Sequence, residues 1–128
     1  MTYKTLVYGA STNPERYSYK AIKMLQEYGH EVVAIGGRVA DLDGLPILTG
    51  HPEIENVHTI TMYMGEARQQ DHIDYILGLQ PKRIIFNPGA ENMALFLKAK
   101  ELGIEVVNAC TLVMLRTGQY DPGSGEVH

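Results

Sequence analysis

A chain of 128 residues has room for one domain with a proper core and little for a second. Its formal net charge of −4, with no basic run longer than Lys82-Arg83, argues against a nucleic-acid or membrane-surface binder, since both need clustered cations. The single cysteine, Cys110, excludes an internal disulfide and a cysteine-rich zinc site.

Thr5-Leu6-Val7-Tyr8 is the first of five short apolar runs and stops at Gly9. Ser18 is the expected N-cap of a helix whose apolar positions Ala21, Ile22, Leu25 and Tyr28 share one face, with Gly29 as its left-handed stop. The second run, Glu31–Ile35, ends at Gly36-Gly37. Residues 36–56 hold Gly36, Gly37, Gly44, Pro46, Gly50 and Pro52 without a sustained helical period. They predict a connection that is mostly loop, with a short strand at Leu45-Pro46-Ile47. Val57–Tyr63 is the third run. Residues 66–79 then show helical spacing through Ile73, Ile76 and Leu77, ended by Pro81. Arg83–Phe86 is the fourth run, followed by a helix from about 91 to 102 that presents Leu95, Ala99 and Leu102 and stops at Gly103. Ile104–Val107 is the fifth, and Thr111 caps a short last helix that Gly118 ends. Residues 119–128, with Asp121-Pro122-Gly123-Ser124-Gly125, read as a mobile tail beyond a domain of residues 1–118.

Near-continuous apolar runs without alternation indicate strands buried on both faces. Strand–helix alternation then gives an α/β, doubly wound sheet of about five parallel strands, with helices on both faces and the order 3-2-1-4-5. No apolar segment approaches the ~18 residues of a membrane span, and Met1-Thr2-Tyr3-Lys4 lacks the flanks of a signal peptide, so the expected location is cytoplasmic.

In such a sheet, ligands bind at the carboxyl ends of the strands where the strand order reverses. For the order 3-2-1-4-5, that point lies between the first and fourth strands, so the loops after Tyr8 and Phe86 form the expected site. The first loop is Gly9-Ala10-Ser11-Thr12-Asn13-Pro14-Glu15-Arg16-Tyr17-Ser18. Small residues allow close backbone approach, Ser11, Thr12 and Ser18 add hydroxyls, Arg16 adds charge, and the helix N-terminus favours an anion. This composition suits a pyrophosphate cradle, although Gly9 is followed by Ser11 and Asn13 rather than two further glycines. A strand-to-helix turn with capping residues is the plainer alternative.

The second strand ends in Ile35-Gly36-Gly37-Arg38, without the acid that accepts from the ribose hydroxyls of NAD. Arg38 suits a ribose phosphate, which NADP and coenzyme A both carry, or else it is a solvated loop arginine. Asn87-Pro88-Gly89 after the fourth strand aims amides into the crevice or is turn chemistry alone. Tyr63 lines an adenine pocket or is a buried aromatic at a strand end. Cys110 reads as core filler with no neighbouring base. His30, His51, His58, His72 and His128 show no metal-ligand spacing. No catalytic or metal-binding residue is assigned.

Gly9–Tyr19 resembles the first loop of the small bacterial coenzyme A-binding domain proteins, stand-alone relatives of the coenzyme A-binding domain of succinyl-CoA synthetase. Tyr28-Gly29-His30-Glu31-Val32 is similar to the family's helix end and second strand, Gly44-Leu45-Pro46-Ile47 to its loop segment, and Ala99–Val107 with Cys110 to its last helix–strand unit. The resemblance covers most of residues 4–117. It implies a Rossmann-like fold with coenzyme A held by Gly9, Ala10, Ser11, Thr12, Asn13, Arg16 and Ser18 and by the end of the second strand, Gly36, Gly37 and Arg38. Two departures stand out. The family commonly has an Asn-Pro pair where this chain has Gly36-Gly37-Arg38, and basic residues where it has Met64-Gly65-Glu66.

The leading expectation is a non-catalytic module that binds coenzyme A or acyl-CoA, acting as carrier, sensor or regulator. An NADP-linked reductase or acyl-transfer subunit is the alternative, though the chain has no separate substrate domain. Homo-oligomerisation, which stays open, could supply missing walls. A protein-interaction scaffold with a degenerate pocket is the third reading. The expected partner is a small nucleotide ligand, with no nucleic acid and no membrane.

Overall fold

A computed structural model describes residues 2–121. Seven strands, β1 (Thr5–Ala10), β2 (Val32–Gly36), β3 (Ala40–Leu42), β4 (Leu45–Leu48), β5 (Thr59–Met62), β6 (Arg83–Phe86) and β7 (Glu105–Asn108), form one sheet in the order β3-β4-β2-β1-β5-β6-β7. Every neighbouring pair is parallel except β3–β4. The helices are α1 (Tyr17–Glu27), α2 (Glu66–Gln69), α3 (Ile73–Gly78), α4 (Met93–Glu101) and α5 (Thr111–Arg116), with a 3₁₀ turn at Gln70–His72 between α2 and α3. The α/β doubly wound class is as expected.

The strand order requires a correction. Val57–Tyr63, expected as the third strand beyond β2, instead supplies β5 on the other side of β1. The third parallel strand is β4, and counting parallel strands alone the order is 3-2-1-4-5-6. The cause is that the short strand expected at Leu45-Pro46-Ile47 is present as β4, where it forms a hairpin with β3 and pairs in parallel with β2. Asp43 and Gly44 both take positive φ (50° and 95°), and the Asp41 carboxylate accepts from the Gly44 N–H at 2.9 Å. A two-residue turn of this kind matches the twist of an antiparallel pair. Pro46 pairs with Asp41 of β3 but precedes the rungs that β4 shares with β2, so its missing N–H costs that ladder nothing.

Along β1, Leu6, Val7 and Tyr8 are all fully buried, which explains the unbroken apolar run. Val7 joins Ile22, Leu25, Ile85, Met114 and Leu115 under α1 and α5. Leu6 and Tyr8 join Ile60, Met62, Ile73, Ile76, Leu95 and Ala99 under α3 and α4. Three helix-end expectations shift. Arg16, with extended backbone, is the N-cap of α1, and Ser18 is the second helical residue. Tyr28 is 49% exposed and outside the core. Cys110 rather than Thr111 caps α5, and the Thr111 hydroxyl instead meets Thr61 Oγ1 at 2.7 Å. Among the described residues, no helix is long and apolar enough to cross a membrane.

The domain also runs past the boundary expected at 118. Tyr120 is only 2% exposed. Its hydroxyl bonds Thr5 Oγ1, its carbonyl accepts from Arg83 Nη1 at 2.7 Å, and the Arg83 guanidinium lies 4.5 Å from its ring centroid. A tail beginning at 119 is therefore too early, because this ring closes the bottom of the sheet. The rest of the expected tail, residues 122–128, lies outside the described residues.

Arg83 is a fully buried cation that forms no ion pair with any described residue. Tyr3 stands between His58 and His30, with ring centroids 4.6 and 5.8 Å away, and His30 is 4.9 Å from Tyr120. His30 Nδ1 accepts from the Tyr3 N–H at 2.9 Å, which requires an unprotonated nitrogen. Burial first, then repulsion from Arg83, holds the pKa of His58 below its usual value; burial is also the main cause for His30. The unfolded chain therefore binds more protons than the folded one just below pH ~6.5, and stability falls as the pH drops through that window. We expect a lower melting temperature at about pH 5 than at about pH 7.5, with the drop reduced in His58→Gln. Thermal melts of the two proteins across that range check it; an unchanged pH profile would remove the two histidines from the account.

Candidate functional site

With β4 as the third parallel strand, the order reverses between β1 and β5 rather than between the first strand and β6. The loops that face each other are thus 9–16 and 63–65. They touch backbone to backbone because Gly9 (φ 99°) has no side chain: a Cβ there would lie 3.0 Å from Met64 N. On the other flank, a Cβ at Gly36 would lie 2.6 Å from the Ala10 carbonyl oxygen and 2.9 Å from Ile47 Cγ2. These two glycines let the ends of β1, β2, β4 and β5 close together.

The loop after β1 fixes itself. Ser11 Oγ accepts from the Asn13 N–H and Asn13 Oδ1 from the Glu15 N–H, both at 3.0 Å, and the Arg16 N–H donates to Asn13 O. The chain is thereby turned so that α1 starts at the crevice, its first-turn N–H groups lacking intrahelical partners. A cleft of about 520 Å³ follows, bordered by Gly9, Ala10, Ser11, Arg16, Ser18, Gly37, Tyr63, Met64, Arg68 and Pro88. A second, of about 440 Å³, continues it past Thr12, Gly37, Arg38, Ala40 and Ile47, and Arg68 lines both. Gly36 borders a smaller pocket alongside.

Of the expected site residues, Gly9, Ala10, Ser11, Thr12, Arg16, Ser18, Gly36, Gly37, Arg38 and Pro88 thus line this connected crevice. Asn13 shapes the turn from within instead. Asn87 also departs from expectation. It is buried, and its Nδ2 donates to Thr61 Oγ1 at 2.7 Å and Met62 O at 2.9 Å, while Oδ1 accepts from the Thr111 N–H at 2.9 Å. Its amide is a brace between β5, β6 and α5, because strand β6 is one place removed from the reversal point. Gly89 is exposed, and its N–H donates to Glu91. Cys110 lines none of these clefts. Tyr63 borders the main cleft, and burial raises its phenol pKa.

Arg68 is the functional candidate that the sequence reading passed over. Gly65 N-caps α2, and two residues into that helix the Arg68 guanidinium turns back toward Gly37. Next to it, Gln69 is fully buried. Its Nε2 donates to Met64 O at 2.7 Å and Ala90 O at 2.8 Å, and its Oε1 accepts from Asn92 Nδ2 at 3.0 Å. Gln69 therefore ties the loop after β5 to the loop after β6 and holds the start of α2 in place. The signal in the sequence was a basic residue in the first helical turn after a strand, two residues past Met64-Gly65-Glu66.

The guanidinium groups of Arg16, Arg38 and Arg68 make no ion pair or hydrogen bond with another described residue. Glu15 is the one acid that borders these clefts. Three unpaired guanidinium groups and a helix N-terminus make the crevice electropositive in a chain of net charge −4.

Fold and crevice together define a Rossmann-like α/β domain with its open site at the strand-order reversal. The chain matches the CoA binding domain family over residues 3–116, and it belongs to that family. The crystal structure of an uncharacterized protein, 43% identical, covers 93% of this chain and 98% of its own, with a TM-score of 0.90. A Thermus thermophilus protein (20% identical, covering 90% of this chain and 89% of its own) and a hypothetical protein from Pyrococcus horikoshii OT3 (19%, 90% and 83%) superpose with TM-scores of 0.82 and 0.81. These last two show the fold. None of the curated proteins matches.

Because the Asn87 amide braces the core, Asn87→Ala leaves the buried Thr111 N–H without its acceptor. The expected loss is about 1–3 kcal/mol of unfolding free energy, read by denaturant titration. An unchanged midpoint would return Asn87 to the list of ligand-facing groups.

Proposed function

We propose that the crevice holds coenzyme A or an acyl-CoA, and that the chain is a binding module which carries, senses or regulates through that ligand rather than transforming it. The observation that carries this reading is that Arg16 and Arg68 line the cleft where α1 begins and Arg38 and Arg68 line the cleft adjoining it, none with a counter-ion among the described residues. Unpaired guanidinium groups around one crevice repel each other, so the fold keeps them there at a cost in stability that an anion would offset. Coenzyme A carries a pyrophosphate and a ribose phosphate. Arg16, with the Ser11 and Ser18 hydroxyls and the N–H groups of α1, suits the first; Arg38 and Arg68 suit the second. Membership of the CoA binding domain family supports the same ligand. Hydroxyls, guanidinium groups and backbone N–H groups bind and orient, which favours a module over an enzyme.

NADP offers a ribose phosphate too, and an NADP-linked reductase is the second reading. Thermal melting with coenzyme A, acetyl-CoA, NADP, NAD and ATP separates the two. A ligand at about 100 times its dissociation constant adds about 2.7 kcal/mol of stability, so a binder is plain. Coenzyme A and acetyl-CoA are expected to raise the melting temperature. Loss of one charged contact in Arg16→Ala or Arg68→Ala should weaken binding by roughly ten- to a hundredfold. A rise with NADP alone would transfer the site to the reductase reading, and no rise with any ligand would defeat both.

A further inference from the structure

A third pocket of about 210 Å³ opens beside the two arginine-lined clefts, on the sheet face that carries α3. Tyr8 lies at its base, Thr49, Met64 and His72 form its walls, and Arg68 stands between it and the phosphate clefts. The Tyr8 side chain is fully buried, yet its hydroxyl has no hydrogen-bond partner among the described residues. A buried polar group left unmade destabilises a fold, and phenylalanine would fill the same space without that penalty. The hydroxyl is thus unexplained by the packing of the chain itself.

The outer wall is also built rather than loose. His51 Nε2 and His72 Nδ1 share a hydrogen bond at 2.7 Å, the His51 ring stacks on Tyr75 at 4.5 Å, and the Tyr75 hydroxyl donates to Pro52 O at 2.6 Å. These contacts fasten the stretch after β4 to α3. No described aspartate or glutamate borders the pocket, and its polar side chains are the Tyr8 phenol, Arg68, the Thr49 hydroxyl and His72. Burial keeps the phenol protonated. Arg68 disfavours a cation, and the volume suits a group of one or two rings or a small oxyanion rather than a whole nucleotide.

We infer that this pocket is a binding subsite for a small, uncharged or anionic, acceptor-bearing group, with the Tyr8 hydroxyl as its buried donor and Arg68 shared with the phosphate clefts. The inference leans on the proposed function in one respect: a nucleotide lying in the clefts could place its base here, whereas a separate carboxylate would bring the same chemistry unaided.

The test compares wild type with Tyr8→Phe, first by melting without ligand and then by calorimetric titration with coenzyme A, adenosine and acetate, with Arg16→Ala as a reference. Tyr8→Phe is expected to melt at or above wild type. Its affinity should fall roughly three- to tenfold for adenosine and coenzyme A if the base is the occupant, or for acetate if a carboxylate is. Tyr8→Phe melting below wild type would overturn the inference, since the hydroxyl would then have a partner in the fold. So would equal binding of every probe to both proteins, or binding of none. Coenzyme A lost in Arg16→Ala but unaffected by Tyr8→Phe leaves the proposed function standing and removes the subsite. Tyr8-dependent binding of adenosine or acetate without any binding of coenzyme A does the reverse.

Discussion

The crevice exists because four strand ends approach to backbone contact, and Gly9 and Gly36 are what permit it. Any side chain at Gly36 would collide with the Ala10 carbonyl at 2.6 Å, and one at Gly9 would crowd the Met64 amide at 3.0 Å. Neither neighbour is a flexible side-chain tip that could move aside. With the strands drawn in, the loop after β1 must rise steeply, and the Ser11–Asn13–Glu15 bonds turn it directly into α1. Gln69 performs the matching task on the other side by pinning the start of α2. Arg16 and Arg68 both line the cleft that results.

Charge is treated in opposite ways at the two ends of the sheet. At the amino end, Arg83 is enclosed by the Tyr120 ring, the Tyr120 carbonyl and the Thr59 hydroxyl, so the cation is stabilised by neutral groups. At the carboxyl end, three arginines have no such enclosure. The first arrangement holds a fold together and disfavours protonation of His30 and His58; the second leaves three guanidinium groups without a counter-ion among the described residues. Dense buried hydrogen bonding through Asn87, Thr61 and Thr111 keeps the floor between the two ends rigid.

Much of this was legible in the residues. The apolar runs matched five of the six parallel strands (β1, β2, β5, β6 and β7), Gly29 and Gly103 marked helix ends correctly, and the loop after Tyr8 was recognisable from its small and hydroxyl-bearing residues. The strand order was not. The short strand expected at Leu45-Pro46-Ile47 is present as β4, but its parallel pairing with β2, which makes it the third parallel strand, is a tertiary choice that local composition does not show. That single miss moved the reversal point by one strand and gave Asn87 a ligand role, whereas three internal hydrogen bonds engage its side chain. Arg68 escaped because its effect depends on where α2 starts, which Gly65 and the buried Gln69 decide through tertiary contacts. Tyr120 escaped because a turn-rich composition describes only local preference, while Arg83, thirty-seven residues earlier, anchors it.

The most direct measurement is a calorimetric comparison of coenzyme A with dephospho-coenzyme A, which lacks the ribose phosphate. If Arg38 and Arg68 form a phosphate site, coenzyme A binds at least about tenfold more tightly, and the difference closes in Arg68→Ala. Equal affinity for the two, or a preference that survives the loss of Arg68, would contradict the account.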